Sequence, residues 1–129
     1  MKRFDLEERL ISFSTMIIEI VKKMPSDKAG SHLSGQLVRS GTSVSLNYGE
    51  AQGGESRRDF IHKIKIVLKE LRETYACLKI IRKTQLLKNN TEVDKAIIEN
   101  NELISIFVKS VKTAQQNDKQ ERNTYGRKD

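Results

Sequence analysis

Apolar positions along the chain recur at alternating steps of three and four residues, the signature of helices with one buried face. Leu6, Leu10, Phe13, Ile17, Ile20 and Met24 form the first such stripe. It predicts a helix over about 4–24, closed at Met24-Pro25 because the residue before a proline is driven out of the helical region. Leu33, Leu37, Ser40, Val44, Asn47 and Ala51 keep the spacing with smaller residues and predict a second helix over about 31–52. "QGGES" then supplies glycines to end that helix and Ser56 to cap the next. Phe60, Ile64, Val67, Leu71, Thr74, Leu78 and Ile81 make the longest stripe, for a helix over about 56–87. After "KNNTEVD", a fourth helix over about 93–115 is read from Ile97, Asn101, Ile104, Val108 and Val111, beside Ile98 and Phe107. Residues 116–129, "QNDKQERNTYGRKD", lose the periodicity and are expected to form a flexible polar tail. No alternating strand pattern competes. Four amphipathic helices on short links predict an all-α, antiparallel up-down-up-down four-helix bundle over residues 1–115.

Composition narrows the class. With 129 residues the chain holds one core. Apolar residues are 36% and charged ones 32%, with one proline and no tryptophan, a balance that suits long helices. No apolar run approaches 18 residues, so no membrane span is expected. The opening "MKRFDLEERLISF" carries acids inside its apolar pattern, unlike a secretory signal. A lone Cys77 cannot form an internal disulfide and fits a reducing cytoplasm.

The stretch "VRSGTSVSLNYGEAQGGESRRDF", residues 38–60, suggests a phosphate loop at first sight. Gly49 and Gly54 have P-loop spacing, but Glu55 and Ser56 follow where Lys and Ser/Thr belong, and no strand precedes them. GxGxxG is also missing. Drawn as a helix, the segment places Gln36, Arg39, Ser43, Asn47 and Glu50 on one flank of the core stripe. Such a flank is either a solvated face or a partly buried seam against another helix. In the second case Arg39 needs a carboxylate, and Glu70 or Glu73 of the third helix can supply it.

Charge changes the picture most. The formal net charge is +7. Residues 1–55 carry seven basic and seven acidic side chains, and so do residues 89–129. The surplus lies in 56–88, where ten Lys/Arg face only Asp59, Glu70 and Glu73. Arg58, Lys65, Lys69, Arg72, Lys79 and Lys83 share one arc of roughly 80° on the helical wheel. A solvated face ordinarily mixes signs; this ridge does not, and it is expected to track nucleic-acid phosphates with steep salt dependence. The ridge offers no aromatics for stacking and few amides for reading bases. His62, Ile66, Cys77 and Ile80 form a further stripe on the same helix, a candidate oligomer interface.

Catalytic and metal constellations are poor. His32 and His62 fall on different helices, and neither has the Glu three residues before it that a di-iron bundle uses. Cys77 has no adjacent histidine. No catalytic residue, metal or cofactor is expected.

The segment from Gln36 to Ile81 resembles a known family. Gln36, Leu37, Arg39, Ser43, Asn47, Glu50 and Ala51, followed by Ser56, Phe60, Glu70, Leu71 and Glu73, match the pattern of four-helix-bundle proteins encoded within intervening sequences of bacterial 23S ribosomal RNA genes. That family is similar in fold to the accessory variability protein of diversity-generating retroelements, a basic bundle that forms pentameric rings and engages reverse transcriptase and nucleic acid. The resemblance implies a homo-oligomer, pentameric, with an RNA-related role. Two departures stand out: "VSLNYGEA" replaces the usual "IPANIAEG", and "LKE" replaces a Gly-Ser in the third helix. Two functional readings follow. One is a non-enzymatic basic bundle that binds structured RNA through its third helix; the other is a protein-interaction module that binds no nucleic acid.

Overall fold

The computed structural model describes residues 3–126 and is built from four helices: α1 (Arg3–Lys22), α2 (Lys28–Gln52), α3 (Arg57–Thr84) and α4 (Thr91–Gly126). Each helix packs on the next, and α4 returns against α1 to close an antiparallel four-helix bundle.

The turns follow from local chemistry. Lys23 and Met24 donate their amides to Ile20 and Val21 in a tightened last turn before Pro25. α2 begins at Lys28, three residues earlier than its apolar stripe suggests, because Asp27 caps it by accepting from the Gly30 amide at 2.7 Å. Gly53 donates back to the Glu50 carbonyl at the end of α2. Ser56 caps α3 through the Asp59 amide, as its position implied. α3 stops at Thr84, where Gln85 turns left-handed with φ 55°.

The core is filled by Leu10, Phe13, Ile17 and Ile20 of α1, by Leu37 and Val44 of α2, and by Ile64, Leu71, Leu78 and Ile81 of α3. Tyr48 of α2 meets Phe107 of α4 edge to face, with ring centroids 5.7 Å apart. The close approach of α1 and α2 depends on Gly41. A Cβ there would lie 2.7 Å from Ile17, and the Ser14 hydroxyl donates to the buried Gly41 carbonyl at 2.9 Å.

α4 departs from the sequence reading in two ways. Its buried face is Val93, Ala96, Asn100, Leu103, Phe107 and Val111, rotated by one residue from the stripe through Asn101, which is exposed. Either stripe contains one asparagine, but the observed one extends over more turns, ending at Ala114, and seats both Leu103 and Phe107 in the core. The helix also continues to Gly126 rather than giving way to an irregular tail after 115. Residues 115–125 lack an apolar stripe but also lack any proline or glycine, and Arg122 pairs with Asp118 one turn away. Met1, Lys2 and 127–129, which the expected domain and tail included, lie outside the described residues.

Candidate nucleic-acid interface

α3 carries nine cationic side chains, and the structure sorts them into two sets. Three lie off the arc, and each meets a carboxylate of a neighbouring helix. Lys63 donates to Glu50 of α2 at 2.5 Å, and Arg82 sits 2.7 Å from Asp94 of α4. Arg57 Nη1 lies 2.7 Å from Glu121 of α4, although its N–H is not aimed at the oxygen, so this contact is coulombic rather than a good hydrogen bond. Among the described residues the six on the arc form no ion pair: Arg58, Lys65, Lys69, Arg72 and Lys83 are exposed, and Lys79 rests its ammonium 6.0 Å above the Tyr75 ring. Of the three acids of α3, Glu70 and Glu73 hold Arg39 on the α2 side, Glu73 still close enough to Lys69 to feel its charge, and Asp59 lies in the first turn. The result is a line of six cations without an ion-pair partner among the described residues, spanning about 38 Å of helix axis.

The α2–α3 seam is built differently from the sequence expectation. Arg39 Nη1 donates to Glu70 Oε2 at 3.1 Å and Nη2 donates to Glu73, so both proposed partners are used. The group is not buried, however: the Arg39 side chain is 50% exposed while Glu70 is 12% exposed. Arg39 springs from the outer edge of α2 and reaches over the carboxylates, leaving its own guanidinium in water. Its hydrogen bond holds the Glu73 carboxyl below the usual value, and the same bond raises the Arg39 pKa. Ser43 and Asn47 bond back to carbonyls of α2 itself and do not cross to α3. Gln36 is half-buried on the same flank. The buried crossing link is one the sequence reading missed, a 2.8 Å hydroxyl pair between Ser40 and Thr74. Both residues sat in predicted core stripes at matching heights, which was the available signal.

The candidate oligomer stripe splits. His62 and Ile80 are exposed and Ile66 is half-buried, but Cys77 is 7% exposed. It lies one turn after Glu73 on the α2 side, where burial first and the Glu73 charge second push its thiol pKa up. A thiol so held stays protonated and does not face solvent. The large exposed apolar side chains are elsewhere: Ile11 and Ile18 on α1, Leu46 on α2 at 70% exposed, Ile98 on α4, besides Ile80. Ile11, Ile18 and Leu46 lie off the three-and-four stripes, which is why periodicity did not single them out, whereas Ile98 was read as flanking the fourth stripe and is exposed.

Among the described residues no three His, Cys, Asp or Glu side chains converge to hold a metal, and His32 and His62 are both exposed. No helix is long and apolar enough to cross a membrane.

Comparison with known proteins agrees with the residues that carried the resemblance. The family model described as 23S rRNA-intervening sequence protein matches residues 2–109. The chain belongs to that family. A crystal structure of a protein of unknown function from the S23 ribosomal protein family of Bacteroides thetaiotaomicron VPI-5482 is similar, at 27% identity and a TM-score of 0.75. The similarity covers 82% of this chain and 97% of that one. No match was found among curated proteins. The family match spans the ridge and the Arg39 clamp, and stops before the last turns of α4.

Proposed function

We propose that this family member is a non-enzymatic nucleic-acid-binding bundle whose α3 ridge holds a phosphate backbone, working in the cytoplasm as an assembly of identical subunits. The observation that carries the reading is the sorting of cations on α3. Lys63, Arg82 and Arg57 are matched with carboxylates from flanking helices, and the six on the arc are left unmatched. Unmatched cations in a row repel one another and gain nothing for the isolated fold. They become favourable when phosphates release their counterions to them. Purified protein titrated with a structured RNA across a salt series tests this. Binding should weaken steeply with salt, and reversing Lys65, Lys69, Arg72 and Lys79 to Glu should remove it while circular dichroism remains helical. Undiminished binding by that folded variant refutes the proposal.

A second reading has its own support. Leu46, Ile11 and Ile18 leave apolar groups exposed on α1 and α2, away from the ridge. A protein-interaction module would use such a surface, and a partner captured equally well in nuclease and high salt would favour it.

A further inference from the structure

Resting on the ridge as the binding surface, we infer that its ligand is the paired backbone of a duplex, RNA or DNA, and not a single strand. Three features of the structure carry this. The first is the fate of the aromatic rings. Phe13, Tyr48 and Phe107 are buried in the core. Phe60 is half-buried, and Tyr75 is half-buried with the Lys79 ammonium over its face. No aromatic ring among the described side chains is fully exposed, so along the ridge unstacked bases find no open platform. Proteins that hold single strands combine a charged track with such platforms; among the described side chains of α3 only the track is open.

The second feature is how α3 is mounted. It is flanked by α2 and α4, which reach across it through Arg39–Glu70, Lys63–Glu50 and Arg82–Asp94. With α2 and α4 packed on either side, the outward crest of α3 is the part left free, a surface suited to lie against the outside of a helical nucleic acid, where the phosphates are. The arc also contains no Asn or Gln to pair with adenine edges, and four of its six cations are lysines, which suits contact with phosphates.

The third feature is the fixed spacing of the cations. Held on one helix, the six extend over about 38 Å, the length of ~11 base pairs at ~3.4 Å each. A fixed line of cations meets a stiff duplex without ordering it, whereas a flexible strand must be straightened to reach all six.

The test compares an about 24-nucleotide labelled RNA strand, free of self-pairing, with the same strand annealed to its complement, and with the DNA duplex of that sequence. Fluorescence anisotropy against wild-type protein is read across a salt series. The expected result is duplex binding at least tenfold tighter than the single strand at equal salt, with RNA and DNA duplexes within a few-fold of each other. The logarithmic salt slope for duplex should approach about −5, from six phosphates at ~0.9 each. Equal or tighter binding of the single strand overturns the inference while leaving the ridge reading intact, provided the Lys65, Lys69, Arg72 and Lys79 reversal abolishes it. Failure of every probe to bind at low salt overturns both.

Discussion

Asn100 tests whether the core has been understood. Its side chain is 0% exposed, on the inward face of α4, and neither its Oδ1 nor its Nδ2 has a hydrogen-bond partner. A buried amide left without partners costs about 1–3 kcal/mol on the scale of protein substitutions. Leucine is close to asparagine in shape and would add apolar surface at a site already lined for it, less a misfit of up to about 1.5 kcal/mol. Asn100→Leu should therefore stabilise the fold by about 1–3 kcal/mol. For a chain of this size that is a rise in Tm of about 4–12 °C, taking ~4 °C per kcal/mol. The matched control is Asn101→Leu, next in sequence but exposed, which should move stability by no more than about 0.5 kcal/mol. Urea unfolding with the same slope for all three proteins gives the values directly. Loss of more than about 1 kcal/mol in Asn100→Leu would refute the reasoning, because it would mean the amide is satisfied, by buried water or by a different packing of α4. A gain at 101 and a loss at 100 would restore the other stripe as the buried face.

The glycines of α2 should split in sign. Gly41→Ala places a Cβ 2.7 Å from Ile17 and should cost about 1–3 kcal/mol by urea unfolding, whereas Gly35→Ala and Gly49→Ala meet open space and should each gain about 0.5–1 kcal/mol. Acid should weaken the α2–α3 clamp. Because the folded Glu73 carboxyl lies below its ordinary 4.5, its stabilisation is complete above that pH and is lost as pH falls through the lower folded value. Thermal melts from pH 7 to 3 should show an extra loss below about 4.5 in wild type that Arg39→Gln lacks; parallel curves would mean the pair contributes nothing. Native Cys77 should react with a thiol reagent at pH 8 far more slowly than the unfolded chain, and equal rates would contradict its burial.

The fold was legible because its determinants are local and repeated. The stripes through Phe13 and Ile17, Leu37 and Val44, and Leu71 and Leu78 each fix a face by spacing alone, and Ser56 is placed as a cap by its neighbours. α4 was less legible for a physical reason. Its apolar residues cover a wide arc, so Asn100 and Asn101 occupy equivalent places in two competing stripes, and only the shape of the other three helices selects one. The end of α4 misled because loss of amphipathicity is not loss of helix. The partners Glu70 and Glu73 of Arg39 were readable because charge demanded an acid on the facing helix. Its exposure was not readable, since a long side chain can serve the same partners from inside or outside the seam.

The ion pairs that close the bundle also define the ridge. Glu50, Asp94 and Glu121 come from α2 and α4, and each lies beside a cation on the flank of α3 rather than on its crest. Arg39 does the converse, turning Glu70 and Glu73 toward α2 and away from the crest. The neutralising pairs thus run along both seams, and on α3 the cations left without an ion pair are those of the outward line from Arg58 to Lys83. It follows that removing a seam acid should affect binding as well as folding. Asp94→Asn frees Arg82 beside Lys83 and should strengthen duplex binding, raising the magnitude of the salt slope by up to about 0.9. Anisotropy on the variant decides it. A slope unchanged within error would mean that the ridge ends before Lys83, and that the phosphates follow only the part of α3 centred on Lys65, Lys69 and Arg72.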